Sequence, residues 1–302
     1  MASSASSATP LPGGKPLSSP EPKSWTWIGG AWRDDNPPLM TAATHAGWLG
    51  SVVFDGARAF QGVAPDLDMH CARAVRSARA LGLKPVKTAA EIESLCWEGI
   101  RKFPSGTELY VRPMFYAERG FVAPDPESTV FCLVLTEAPL PAPNGFSACV
   151  SRFRRPTPDS APTDAKASCL YPNAGRAIFE AQERGYDNAI MCDANGNVAE
   201  YATSNLFIAK NGVAATPIAN GTFLNGVTRQ RVIKLLREAG IATEERTVTV
   251  KDVLEADEVF STGNYAKVLP VTKVENRNYQ PGPVYKRARE LYFQYALSGK
   301  KA

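Results

Sequence analysis

Between residues 138 and 146 the chain reads Pro139-Leu140-Pro141-Ala142-Pro143-Asn144-Gly145. Proline has a fixed φ and no backbone N–H, so neither a helix nor an interior strand can run through prolines at alternate positions. The segment therefore divides the polypeptide into two parts that must each build elements of their own. A chain of 302 residues, 44% of them apolar, is long enough to give each part a core. The expected organisation is a small α/β domain over residues 24–138, an inter-domain linker over 139–146 and a large domain over 147–302. Residues 1–23 are rich in Ser, Ala, Pro and Gly and nearly free of large apolar side chains, so they are expected to form a disordered tail.

Periodicity fills in the two parts. Trp25 to Ile28 and Ala31 to Arg33 flank a Gly29-Gly30 turn and read as a hairpin. Apolar residues at helical spacing predict helices over 67–81 and about 88–103, followed by strands over 108–112 and 129–135. Beyond the linker come a strand over 147–153 and a helix over 173–184. Asn195-Gly196 and Asn211-Gly212 separate β-like runs at 188–193, 199–210 and 213–216, which reads as a meander. Later helices are expected near 228–239, 250–255 and 284–297. The order is α+β, without the regular strand-helix alternation of a doubly wound sheet.

Composition excludes several function classes. No run of eighteen apolar residues occurs, and the N-terminus has no basic patch followed by an apolar stretch, so no membrane span or secretory signal is expected. The six cysteines are scattered without a Cys-x-x-Cys pair, which fits reduced thiols and a cytoplasmic setting. With two histidines, no metal site is expected. The net charge of +4 is dispersed, without the basic stripe that nucleic-acid binding requires, and suits small anionic molecules.

Chemistry is concentrated in two runs. One is Asp164-Ala165-Lys166-Ala167-Ser168-Cys169-Leu170-Tyr171; the other begins Glu200-Tyr201-Ala202-Thr203-Ser204-Asn205-Leu206-Phe207. A lysine that condenses with an aldehyde cofactor needs a neutral amine, a phenol beside the ring oxygen and an anion that keeps the pyridine nitrogen protonated. Lys166, Tyr171 and Glu200 can supply all three. The stretch Leu224-Asn225-Gly226-Val227-Thr228-Arg229 opens an amphipathic helix, as an anion-binding turn would.

These runs, in this order, resemble the class IV (fold type IV) pyridoxal-phosphate aminotransferases, especially the branched-chain branch, over roughly residues 25 to 295. The resemblance implies a two-domain fold type IV enzyme, of the aminodeoxychorismate lyase and D-amino acid aminotransferase kind, whose large domain binds pyridoxal 5'-phosphate. It implies Lys166 as the Schiff-base lysine and proton carrier of a ping-pong transamination, with Tyr171 and Glu200 on the ring. Leu224 would pack on the ring face, and Val227 and Thr228 would hold the phosphate. The run His70-Cys71-Ala72-Arg73 is similar to the family's His-x-x-Arg-Leu pattern and offers Arg73 as the phosphate's fixed cation, with His70 left to helix packing. Ser261-Thr262-Gly263-Asn264-Tyr265 corresponds to a third phosphate turn, with Asn264 where threonine is usual and Tyr265 far bulkier than its counterpart.

On the substrate side, Leu49-Gly50-Ser51-Val52-Val53-Phe54-Asp55-Gly56-Ala57-Arg58 is similar to Tyr-Gly-x-x-x-Phe-Glu-Gly-x-Arg, and Tyr110-Val111-Arg112-Pro113 to Tyr-x-Arg-Pro. The resemblance thus implies substrate contacts from Leu49, Phe54, Arg58, Tyr110, Arg112 and Tyr265. Leu49 replaces a tyrosine, which together with Tyr265 suggests a reshaped, more hydrophobic site. The expected reaction moves an amino group from a branched-chain or hydrophobic amino acid to a 2-oxo acid in a homodimer. Alternatives within the fold are (R)-selective amine or D-amino acid transamination and, further off, aminodeoxychorismate lyase.

Overall fold

The computed structural model describes residues 22–299; the expected tail falls outside these apart from Pro22 and Lys23. The first part of the chain contributes β1 (Ser24–Ile28), β2 (Ala31–Arg33), α1 (His45–Leu49), β3 (Val52–Phe54), β4 (Ala57–Ala59), α2 (Leu67–Ala80), α3 (Ala89–Ile100), β5 (Leu109–Ala117) and β6 (Thr129–Glu137). Its strands form one antiparallel sheet in the order β2-β1-β6-β5-β3, with β4 also on β5. The helices lay Ala74, Ala78, Ile92 and Cys96 against Val111, Phe115 and Leu133 of the sheet.

β5 runs on past the expected stop at Arg112, straight through Pro113. It can do so because β3 and β4 cover it in two pieces, Phe54 opposite Met114 and Ala57 opposite Val111. Pro113 faces the break between them, where its missing N–H leaves no ladder bond unmade and its carbonyl accepts from Asp55 N–H at 2.9 Å. Asp55 and Gly56 are thereby pinned at the sheet's break.

After the proline segment come β7 (Phe146–Arg154), α4 (Tyr171–Glu183), β8 (Asn188–Cys192), β9 (Val198–Tyr201), β10 (Asn205–Lys210), β11 (Val213–Pro217), α5 (Val227–Glu238), β12 (Thr243–Arg246), α6 (Val250–Glu255), β13 (Glu258–Gly263), β14 (Lys267–Val274), β15 (Arg277–Asn278) and α7 (Pro283–Leu297). The second sheet runs β12-β11-β10-β13-β14-β7-β8-β9, with β15 on β14, and mixes parallel with antiparallel pairs. The run expected as one strand over 199–210 is two. Tyr201 N–H closes on Ser204 C=O at 2.8 Å, and this turn sends β9 and β10 to different partners. The meander survives only as local hairpins, of which β10–β11 turns on Asn211-Gly212 with φ of 51° and 78°, as a two-residue turn demands.

The two parts share buried surface. Phe60 and Val63 from the first pack among Phe207, Phe260 and Tyr292 of the second, while Ala165 and Ala167 from the second join the first part's core. Lys166 lies between those two alanines.

Candidate active site

The backbone of Lys166 is fastened on both sides. Its N–H donates to Ser77 Oγ of α2 at 3.0 Å, its carbonyl accepts from Phe54 N–H of β3 at 3.0 Å, and Ala167 bridges to Val53. With its neighbours buried, the side chain can only leave the seam on the open side. There Nζ sits 2.6 Å from Tyr171 Oη and 4.8 Å from the centroid of the Phe54 ring. The Phe54 and Tyr171 rings pack at 5.1 Å. Burial and the Arg73 guanidinium push the Lys166 pKa down, outweighing Asp55, Tyr110 and Glu200. Burial and the Glu200 carboxylate push the Tyr171 phenol up to about 12. A lysine eased toward its neutral form thus faces a phenol that keeps its proton.

Glu200 reaches the same cavity from β9. Arg155 Nε stands 3.3 Å from its Oε1, and Asn205 Nδ2 lies 3.2 Å from Oε2. Burial still wins over Arg155 and Lys166, raising the Glu200 pKa to about 7. Asn205 is fixed in turn by the carbonyl of Leu224, 3.0 Å away. Gly226 allows that approach: a Cβ there would stand 2.1 Å from Asn205 Oδ1.

The third corner is made of donors. Gly226 caps α5 without a side-chain hydrogen bond, so the first turn of a twelve-residue helix presents Val227 and Thr228 to the cavity. Arg73 forks onto Asp55, Nε to Oδ2 at 2.6 Å and Nη2 to Oδ1 at 2.9 Å, and His70 Nδ1 meets the same carboxylate at 2.7 Å. Burial alone would raise the Asp55 pKa, but Arg73 and His70 outweigh it and hold the group ionised. Burial keeps His70 below its ordinary value despite Asp55. What remains is Arg73 Nη1, buried and without a partner among the described residues, as are Thr262 Oγ1 and Asn264 Nδ2.

These corners enclose a cavity of about 240 Å³. Of the residues expected from sequence, Phe54, Tyr110, Lys166, Tyr171 and Glu200 line it. Arg73, Leu224, Val227, Thr228 and Asn264 line it as well, with the 61% exposed Tyr265 among them. Three expected substrate residues lie elsewhere. Leu49 ends α1, whose His45 and Ala46 take the buried places and leave it 43% exposed. Arg58 is fully buried behind Tyr265, 5.2 Å from the ring, with Nη2 donating to the Pro139 carbonyl at 3.0 Å. Arg112 shares a face of β5 with Tyr110, but the strand's rise of roughly 6.8 Å over two residues carries it past the cavity.

Sequence reasoning missed Asp55, Arg155, Asn205 and Thr262. Asp55 had a signal, an acidic residue between Phe54 and Gly56 where the pattern has glutamate. Arg155 had none, because it follows Arg154 with nothing to say which of the two turns inward.

The donor set can be tested against a cofactor. Arg73 Nη1, Thr262 Oγ1, Asn264 Nδ2 and the α5 N-terminus are buried donors short of acceptors, which fits a group with several anionic oxygens. Glu200, with its raised pKa, fits a basic ring nitrogen, and Lys166 fits an aldehyde carbon. Pyridoxal phosphate combines all three features, so these residues fit it. Among the described residues no group of three or more His, Cys, Asp and Glu side chains could hold a metal, and no helix is long and apolar enough to cross a membrane.

Comparison with known proteins agrees. The signature of the family described as amino-transferase class IV matches residues 52–274. A probable branched-chain-amino-acid aminotransferase of Aquifex aeolicus is 34% identical over 277 residues, 87% of this chain and 88% of that protein. The Escherichia coli branched-chain-amino-acid aminotransferase is 30% identical over 287 residues, 89% and 92% of the two chains. Among solved structures, a Brucella abortus aminotransferase bound to the cofactor PLP superposes with a TM-score of 0.90 at 51% identity, covering 91% of this chain and 99% of that one. The Escherichia coli branched-chain enzyme gives 0.85 at 30% identity, covering 91% and 95%. The lysine seam, the donor corner and a signature spanning most of both sheets have one reading: the chain belongs to the class IV amino-transferases and is a pyridoxal-phosphate-dependent transaminase.

Proposed function

We propose that the enzyme transfers the amino group of a branched-chain or other hydrophobic L-amino acid to a 2-oxo acid, with Lys166 as its proton carrier. The observation that carries this reading is Lys166 Nζ at 2.6 Å from Tyr171 Oη, over the Phe54 ring, in a cavity that also holds Glu200 and the unpartnered donors. The relatives named as branched-chain aminotransferases support the donor class.

Bound pyridoxal phosphate supplies an electrophilic carbon and a ring that withdraws electrons from the substrate's α-carbon. The chain's own residues do the rest. Arg73, Thr262, Asn264, Val227 and Thr228 bind the phosphate, and Leu224 packs on the ring. Glu200 holds a proton at the ring nitrogen. The Tyr171 hydroxyl hydrogen-bonds the ring oxygen and orients Nζ. Lys166 Nζ, eased toward neutrality, would take the substrate's α-proton as general base and then, as general acid, deliver it to the cofactor's former aldehyde carbon on the far side of the amino nitrogen. Phe54 and Tyr110 wall the substrate side and exclude water, and Tyr265 stands over its entrance.

The same reading makes residues 24–138 and 147–302 two domains joined by 139–146, with the site at their seam. It also makes the enzyme a cytoplasmic homodimer. All six cysteines are free, in keeping with reduced thiols. Trp48, Leu49, Phe121 and Val122 are exposed on α1 and the adjacent loop, which the His45 N–H bond to the Glu118 carbonyl ties together, and this patch suits a second copy of the chain. Sedimentation as a monomer at micromolar concentration would remove the dimer.

The test of the activity is a spectrum of the loaded enzyme with L-leucine and, separately, with (R)-1-phenylethylamine, followed by assay of amino transfer to 2-oxoglutarate. Loss of the visible band with L-leucine alone is the expected result. Response to the amine alone overturns the donor assignment, and full turnover by Lys166→Ala overturns the role of Lys166.

A further inference from the structure

A second lysine lies just behind the donor corner, and the mechanism above does not use it. Lys267 opens β14 directly after the turn that carries Asn264 and Tyr265. It is 1% exposed and holds a left-handed φ of 62°, which non-glycine residues seldom adopt. Its Nζ donates to Asn264 Oδ1 at 2.7 Å and lies 5.8 Å from the centroid of the Tyr292 ring. No carboxylate among the described residues is within ion-pair distance of it. Burial and the Arg58 guanidinium push its pKa down to about 7 against the pull of Asp66. A buried amine with no counter-charge opposes folding, and a leucine or methionine would fill the same volume without that penalty.

We propose that Lys267 is a positioning residue for the anion end of the cavity, turning the Asn264 amide so that Nδ2 faces the cofactor's phosphate. Nζ meets the Asn264 amide at its oxygen, and in its charged form the lysine, with three donors and no acceptor, can hold the amide only that way round. Nδ2 is thereby directed away from Nζ. It is buried and has no partner among the described residues, and Asn264 lines the cavity beside Thr262, whose hydroxyl is unpartnered as well. A bound phosphate would in turn favour the charged lysine, so the two interactions reinforce each other. The inference rests on the proposed reading of this corner as the phosphate site.

The test compares the cofactor-free wild-type protein with Lys267→Met, Asn264→Ala and the double variant. Each is titrated with pyridoxal phosphate and with pyridoxal, which lacks the phosphate, and followed by tryptophan fluorescence. A hydrogen bond to a charged group is lost if the amide turns, so Lys267→Met should weaken pyridoxal phosphate about tenfold or more and leave pyridoxal unchanged. Asn264→Ala should show a similar phosphate-specific loss, and adding Lys267→Met to it should bring little more. Wild-type affinity in Lys267→Met, or an equal further loss in the Asn264→Ala background, overturns the positioning role. Should Lys267→Met fail to fold, unchanged affinity in Asn264→Ala overturns it equally. If the wild-type protein binds pyridoxal and pyridoxal phosphate with the same affinity, the phosphate corner itself is misassigned and the inference falls with it.

Discussion

Replacing Glu200 by Gln should remove a pH dependence from the stability of the cofactor-free protein. The folded carboxyl has its pKa raised from 4.5 to about 7, because burial exceeds the pull of Arg155 and Lys166. Below pH 4.5 the group is protonated in both the folded and the unfolded chain. As pH rises toward 7 the unfolded chain gives up the proton while the folded one keeps it, so the folded state loses ground, and above 7 the loss is complete. At about 1.4 kcal/mol per pH unit, the difference amounts to about 3 kcal/mol. Glutamine is neutral throughout. Urea unfolding of cofactor-free wild type and Glu200→Gln between pH 4.5 and 8.5 should show the variant gaining about 3 kcal/mol on the wild type across that window. Parallel curves would refute the argument. So would a wild type that gains on the variant with pH, since that would make the Arg155 ion pair, 3.3 Å away, the larger effect. With pyridoxal phosphate bound the sign should invert: a protonated ring nitrogen favours the carboxylate, so Glu200→Gln should hold the cofactor less tightly than wild type at neutral pH.

Tyr171→Phe removes the hydroxyl 2.6 Å from Lys166 Nζ and should lower kcat by roughly a hundredfold with a smaller change in KM, checked by steady-state kinetics. Asp55→Asn leaves the buried Arg73 guanidinium without its counter-charge and should destabilise the fold by about 3–5 kcal/mol in urea; a loss below about 1 kcal/mol would show that the pair contributes little. Gly226→Ala places a Cβ against Asn205 Oδ1 and must displace the amide that donates to Glu200. Pyridoxal phosphate should then bind about tenfold more weakly in an equilibrium titration, and wild-type affinity would show that Asn205 does not support the ring end.

How much of this was legible in the sequence depended on whether the information was local. Lys166, Tyr171 and Glu200 were readable because the chemistry restricts residue types within short runs, and the helix expected near 250–255 is α6, which the structure caps with Thr249. α4 begins two residues before the expected start and takes Pro172 into its first turn, where a proline forfeits only an N–H that would have no helical partner. α1 has five residues, too few for a period to show. The larger misses concern distance. A strand pattern told that Tyr110 and Arg112 share a face, but not that the cavity ends between them. Arg73 was expected as the phosphate's fixed cation, without the group that fixes it: Asp55, held at the β3–β4 break by Pro113, occupies two of its nitrogens and leaves Nη1 for the cavity. That pairing crosses from a sheet defect to a helix, and no run of residues announces it. The carboxylate fixes the fork while the third nitrogen stays unpaired, so one guanidinium is both anchored in the fold and available as a donor. A lone arginine on α2 would have to lose side-chain freedom on binding, whereas here that ordering is already made by Asp55.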